Sequence, residues 1–111
     1  MKYYRYLYVD EQIKNVNKIK LKLNCHKGVV GYFVLYYSSQ TRCIEIMNAS
    51  YLKFNYYRKH PVIIIGIAKG YESAVDILLK IVNESLKITG KADLIHFLIL
   101  KAKTRNFTIE A

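Results

Sequence analysis

An α/β domain is predicted for this 111-residue chain, with a single-layer sheet of about three to five strands and two or three helices packed on it. Three observations carry that expectation. Residues 62–65 are an unbroken β-branched run with no polar alternation, the pattern of a strand covered on both faces. From Glu72 the spacing changes to the helical period of about 3.6 residues, sustained to Thr89. Between residues 29 and 47 two apolar runs flank a polar loop, as in a hairpin. The implied order is β-α-β-β-(short α)-β-α-(α or β), which leaves the strand order open.

Residues 3–9 read as the first strand, with Tyr4, Tyr6 and Tyr8 on one face and Tyr3, Arg5, Leu7 and Val9 on the other. Asp10 is then the expected N-cap of a helix over residues 11–23. Ile13, Val16, Ile19 and Leu23 form its apolar stripe, and Lys14, Lys18 and Lys22 stack at four-residue steps. Ile19, Leu21 and Leu23 also alternate strictly with Lys18, Lys20 and Lys22, as a strand does. The acidic start and basic finish match a helix dipole, which favours the helix.

After a turn at residues 24–28, strands are expected at 29–37 and 43–47, joined by the polar loop 38–42. Residues 48–60 have no clean period and suit one or two helical turns around 49–55. Pro61 lacks a ladder donor and so fits the first position of the next strand. Gly66 and Gly70 bracket the turn into the long helix. Its apolar face is read as Val75, Leu78, Leu79, Val82 and Leu86, widened by Ala74, Ile77 and Ile81. Glu72, Asp76, Lys80, Asn83, Glu84 and Lys87 lie opposite, and Gly90 is the stop. Residues 94–100 are apolar all round and suit a strand or a helix; their leucines, with Asp93 as N-cap, tip the reading to helix. Residues 1–103 are expected to form one compact domain and residues 104–111 a mobile tail.

Composition narrows the function classes. At 52% hydrophobic content, with five Gly and one Pro, the chain has material for a core and no linker-like tract. Arg5, Asp10 and Glu11 break up any leader-like apolar region, and the longest uncharged run, residues 28–41, falls short of the ~20 residues of a spanning helix. A cytoplasmic protein with no membrane insertion is therefore expected. Cys25 and Cys43 lack CxxC spacing and read as ordinary reduced thiols. His26, His60 and His96 stand at no ligand spacing, so neither a metal nor another cofactor is expected.

The strongest functional signal is charge, +10 overall with pI near 9.6. Residues 1–60 carry eleven Lys/Arg against three Asp/Glu, a net of +8; residues 61–111 carry seven against five, a net of +2. In the basic half, cations interleave with aromatics at residues 3–6 and again at 51–60. Cations neutralise phosphates while ring faces stack on bases, which is why nucleic-acid surfaces combine them. The reading is a non-enzymatic binding domain for nucleic acid or an acidic protein surface. Its contacts are Lys14, Lys18, Lys22, Lys53, Arg58 and Lys59, with Tyr56 and Tyr57 as stacking platforms. The plain alternative is that the tyrosines pack the sheet and the lysines solvate the outside.

A second reading places a small-anion or nucleotide site at Lys69, Gly70 and Ser73, where a strand enters a helix and backbone N–H groups converge. The spacing there matches neither GxGxxG nor GxxxxGK[ST], and Glu72 brings a negative charge. A third makes residues 94–100 or a tyrosine-bearing strand the seam of a homodimer. For catalysis, Cys25 beside His26 and the Ser38–Ser39 pair are the starting points, and no carboxylate pair stands out for acid–base work.

Overall fold

The β-branched run opens one of the two inner strands of a four-stranded mixed sheet in the computed structural model, which describes residues 2–25, 27 and 29–103. In chain order the elements are β1 (Lys2–Val9), α1 (Val16–Asn24), β2 (Tyr32–Ser38), β3 (Cys43–Asn48), a 3₁₀ turn (Ala49–Lys53), α2 (Asn55–Lys59), β4 (Ile63–Lys69), α3 (Tyr71–Thr89) and α4 (Leu94–Lys103). The sheet order is β1-β4-β2-β3, with β1 parallel to β4 and the other pairs antiparallel.

Both sheet faces are covered. Leu35, Ile65 and Ala68 pack with Ala74, Ile77 and Ile81 of α3 and Phe97 and Leu98 of α4. On the opposite face Val34, Ile64 and Ile67 pack with Ile19 and Leu23 of α1 and with Ala49 and Leu52 of the 3₁₀ turn. The expected alternation of β1 holds: Tyr4 and Tyr8 join the first cluster, Tyr3 and Leu7 the second.

Gly66 belongs to β4 and not to the turn after it. Opposite β2, Leu35 pairs with Gly66 and Tyr36 with Ile64, so Ile65 is an extra residue and the strand carries a bulge. The bulge turns Ile65 toward α3, and Gly66 faces the same way. A Cβ on Gly66 would stand 3.2 Å from the Tyr8 carbonyl oxygen and 3.4 Å from Ile77 Cγ2. The missing side chain is what lets α3 lie close to the sheet. The turn itself is made by Gly70, whose φ of 97° only glycine adopts freely.

Three other readings need correction. Helix α1 starts at Val16, and its N-cap is Asn15, whose side chain accepts from the Lys18 N–H at 3.1 Å. Asp10 is drawn away to the strand–helix turn described below, so residues 11–14 do not enter the helix. On α3 the buried line is Ala74, Ile77, Ile81 and Ser85, while Leu79 and Leu86 are 54% and 46% exposed. Counting hydrophobic residues rotated the face toward those leucines, because Ser85 does not score as apolar. Its hydroxyl is nevertheless satisfied by donating to the Lys91 carbonyl at 2.7 Å, which ties the end of α3 to the corner leading into α4. Glu84, placed on the solvent side by the same count, lies against α4.

There Glu84 Oε1 accepts from the Tyr8 hydroxyl at 2.6 Å and from Lys101 Nζ at 3.2 Å, and Lys101 also donates to Tyr8 at 2.9 Å. This cluster ties β1, α3 and α4 together, and the Tyr4 hydroxyl adds a bond to the Leu98 carbonyl at 2.6 Å. Residues 94–100 are helical, and Asp93 caps them as expected, its carboxylate accepting from the His96 N–H. Residues 104–111, read as a tail, lie outside the described residues. Among the described residues no helix is long and apolar enough to cross a membrane.

Tyrosine burial makes the fold sensitive to alkali. Burial pushes the Tyr3 and Tyr4 hydroxyls up to about 12, Tyr36 reaches about 12 through burial and the Glu45 carboxylate beside it, and Tyr8 rises further through burial and Glu84. A raised folded pKa contributes stability that is fully present below the unfolded value near 10 and is lost as pH climbs from there toward 12. The rings are only partly covered, so solvent screening keeps the loss between pH 9 and 11 to on the order of 1 kcal/mol. Melts followed by circular dichroism should show Tm falling by about 4–8 °C over that interval, and a smaller fall in Tyr8→Phe. A flat profile would contradict this account of the tyrosines.

Candidate nucleic-acid interface

The two helical layers differ sharply in charge. Residues 13–27 and 49–60, which carry α1, the 3₁₀ turn and α2, hold eight Lys/Arg and no Asp/Glu. Residues 71–103, which carry α3 and α4, hold five Lys/Arg against four Asp/Glu. The ion pair found among the described residues, Lys101 with Glu84, is in the second layer. The cations of the first layer therefore face solvent without carboxylate partners there, the arrangement that attracts a polyanion.

The fold explains why they gather. α1 buries Ile19 and Leu23, which turns Lys18 and Lys22 outward. The 3₁₀ turn buries Ala49 and Leu52, leaving Tyr51 and Lys53 exposed, and α2 exposes Tyr56, Arg58 and Lys59. α1 and the 3₁₀ turn touch, which puts both segments on the same face of the sheet. Lys14 is exposed too, but it precedes the Asn15 cap and so does not continue the helical ridge.

Aromatic rings are interleaved with these charges. Tyr51 and Phe54 stack at 5.9 Å between centroids with 19° between planes, and Lys53 Nζ lies 5.7 Å from the Phe54 ring. Tyr56, 52% exposed, stacks on His60 at 4.5 Å and meets Tyr57 edge-on at 5.0 Å. Tyr57 is half-buried against the core of this face, so Tyr56 is the more accessible of the two predicted platforms.

Beside them is a cleft of about 420 Å³ at the end of the sheet, bordered by Tyr36, Thr41, Glu45, Tyr56, Tyr57 and His60 among others. Tyr36 and Glu45 are cross-strand partners of the β2–β3 hairpin, which puts both side chains on the α2 side of the sheet. The Tyr36 hydroxyl donates to Glu45 Oε1 at 3.2 Å and the Thr41 hydroxyl donates to Oε2. The hydrogen bond from Thr41 outweighs the opposing effect of burial and, with lesser help from Tyr36 and Ser38, holds the Glu45 carboxyl below its usual range. It is ionised at neutral pH.

The alternative anion site is differently filled. β1 ends at Val9 beside the end of β4, and Asp10 reaches across the turn: its Oδ2 accepts from the Lys69 N–H at 3.0 Å and its Oδ1 from the Gln12 N–H at 3.1 Å. Burial pushes this carboxyl up, but the bonds from Gln12, Lys69 and the Ser73 side chain outweigh it and lower it overall. Lys69, Gly70 and Ser73 are thus brought together as read, with the protein's own carboxylate taking the donors a phosphate would need. Of the candidate catalytic pairs, Cys25 is exposed, His26 lies outside the described residues, and Ser39 borders the tyrosine-lined cleft with Ser38. Among the described residues no group of three or more His, Cys, Asp or Glu is placed to hold a metal ion.

Comparison with protein-family models, with curated proteins and with solved structures returned no match. The sequence points to Lys14, Lys18, Lys22, Lys53, Tyr56, Tyr57, Arg58 and Lys59, all carried by residues 13–27 and 49–60, and gives no such pointer to Tyr36, Glu45 and Thr41. The signal that could have found them is hairpin register: pairing outward from the loop 39–42 sets Tyr36 opposite Glu45.

Proposed function

We propose that this is a small non-enzymatic domain that binds single-stranded nucleic acid on the layer formed by α1, the 3₁₀ turn and α2. The observation that carries the reading is the sorting of charge: eight cations and no carboxylate within residues 13–27 and 49–60, with exposed Tyr51, Phe54 and Tyr56 among them. Cations alone support any polyanion. Exposed rings favour unpaired bases, since base–aromatic stacking contributes about 1–3 kcal/mol per base and a duplex hides the base faces. An acidic protein surface would use the same lysines but has no need of the rings.

With roughly five phosphates neutralised, affinity for a short labelled single strand should fall about a hundredfold between 50 and 200 mM salt. Lys53→Ala with Arg58→Ala and Lys59→Ala should flatten the log–log salt slope by about 2. The control, Lys87→Ala with Lys91→Ala and Lys103→Ala, removes the same charge from the other layer and should leave the slope nearly unchanged. Absence of binding at low salt, or equal effects of the two triple variants, would remove the proposal.

A further inference from the structure

We infer that the outer face of α4 and the groove beside it are the seam of a homodimer, in which two copies of α4 pack antiparallel about a twofold axis. Three features argue for a seam there and for a second copy of this chain as its cover.

The first is the helix itself. Within residues 94–100 only His96 is polar, yet the residues of α4 that the chain buries are Phe97 and Leu98. A helix that is apolar all round is ordinarily enclosed on all sides, whereas α4 lies on one sheet and one helix. Ile95, Ile99 and Ala102 recur at the helical spacing on the side turned away from Phe97, and Ile99 at their centre is exposed.

The second is shape. Between α4 and the sheet runs a groove of about 430 Å³, walled by Tyr4, Tyr37, Ile63 and Ile65 from three strands and by Leu98 and Ile99 from the helix. Ile63 is exposed there as well. An isologous contact needs a ridge and a groove side by side on one surface, so that each copy's ridge enters the other's groove.

The third is charge, and it chooses the occupant. Each chain carries +10, so two copies repel unless they meet where charge is balanced. Residues 71–103 hold five Lys/Arg against four Asp/Glu, whereas the helices on the opposite face of the sheet hold only cations. Among the described residues that line the groove Lys103 alone is charged, which suits neither a polyanion nor an acidic peptide. Antiparallel packing sets that lysine near the start of the other copy's α4, where an exposed Asp93 stands. The α1–α2 layer of each copy stays open to solvent, because it covers the other face of the sheet.

Sedimentation velocity of the whole chain between about 5 and 500 µM tests the seam, since the mass should climb from 13.0 kDa toward twice that value. Ile99→Lys puts a charge at the middle of the seam and should weaken association roughly tenfold or more, with Tm unchanged at the lowest concentration. Leu79→Lys makes the same change at an exposed leucine of α3 and should leave association as it was. Lys103→Glu, which sets a carboxylate near Asp93, should weaken it too, and less so at high salt. A mass of 13.0 kDa at every concentration would overturn the seam. If Ile99→Lys then lowered Tm by several degrees, residues 104–111 of the same chain would be the cover; if it did not, the groove would be open to a different partner. Equal weakening by Ile99→Lys and Leu79→Lys would place the contact elsewhere and overturn it as well.

Discussion

Replacing Phe97 with alanine is expected to destabilise the fold by about 3–5 kcal/mol, a large part of the ~5–15 kcal/mol that holds a small domain together. Phe97 is fully buried in the cluster that joins α4 to Leu35, Ile65 and Ile81, and the cavity left behind would be walled by strands and a long helix that cannot close over it. Two residues along, Ile99 is 48% exposed, and Ile99→Ala should change stability by no more than about 0.5 kcal/mol. Urea unfolding of the two variants measures the contrast. Similar midpoints for both would mean that α4 does not lie on the sheet as described.

Gly66→Val should cost about 3 kcal/mol, and Gly66→Ala about 1, in the same unfolding experiment. In open space, alanine for glycine stabilises by roughly 0.4–1 kcal/mol because the unfolded chain loses freedom. Here the new Cβ meets Leu35 Cδ1 at 3.1 Å and the Tyr8 carbonyl oxygen at 3.2 Å. The leucine methyl can swing aside; the carbonyl belongs to β1 and cannot. Valine adds two methyls to the same gap, where Ile77 of α3 already stands at 3.4 Å from the Cβ position. The sign of the alanine effect decides the matter, since a stabilising Gly66→Ala would show that the sheet and α3 are further apart than the bulge implies.

Much of this architecture was legible because its signals are local and periodic. The run ending at Ile65 leads into a strand buried over residues 64–68, although Val62 precedes it and Ile63 is 41% exposed, and the alternation in β1 divides Tyr4 and Tyr8 from Tyr3 and Leu7. Asp93 and the leucines after it point to α4. What escaped depends on partners distant in sequence. Asp10 has every local qualification of an N-cap, yet the N–H it bonds is that of Lys69, 59 residues away. Nothing near Gly66 tells that it continues a strand, because its role is set by Tyr8, Leu35 and Ile77. Leu79 and Leu86 look like core residues, but Ser85 is buried in their stead, which requires the Lys91 carbonyl to be within reach.

The candidate site divides along the same line. Its cations and exposed rings come from short contiguous segments, so composition alone picked them out. The cleft needs a hairpin register and a helix from elsewhere to bring Tyr36, Glu45, Tyr56 and His60 together.

Because β4 sits between β1 and the β2–β3 hairpin, the sheet is threaded out of order with respect to synthesis. As the ribosome makes the chain, β2 and β3 can zip as a hairpin at once, but β1 must wait more than fifty residues for its neighbour, with its row of tyrosines unshielded. Closing that long-range parallel pairing is entropically slow. The nascent N-terminal segment is thus the part of this protein with most to gain from a holding chaperone, and the part from which misassembly with another growing chain would begin.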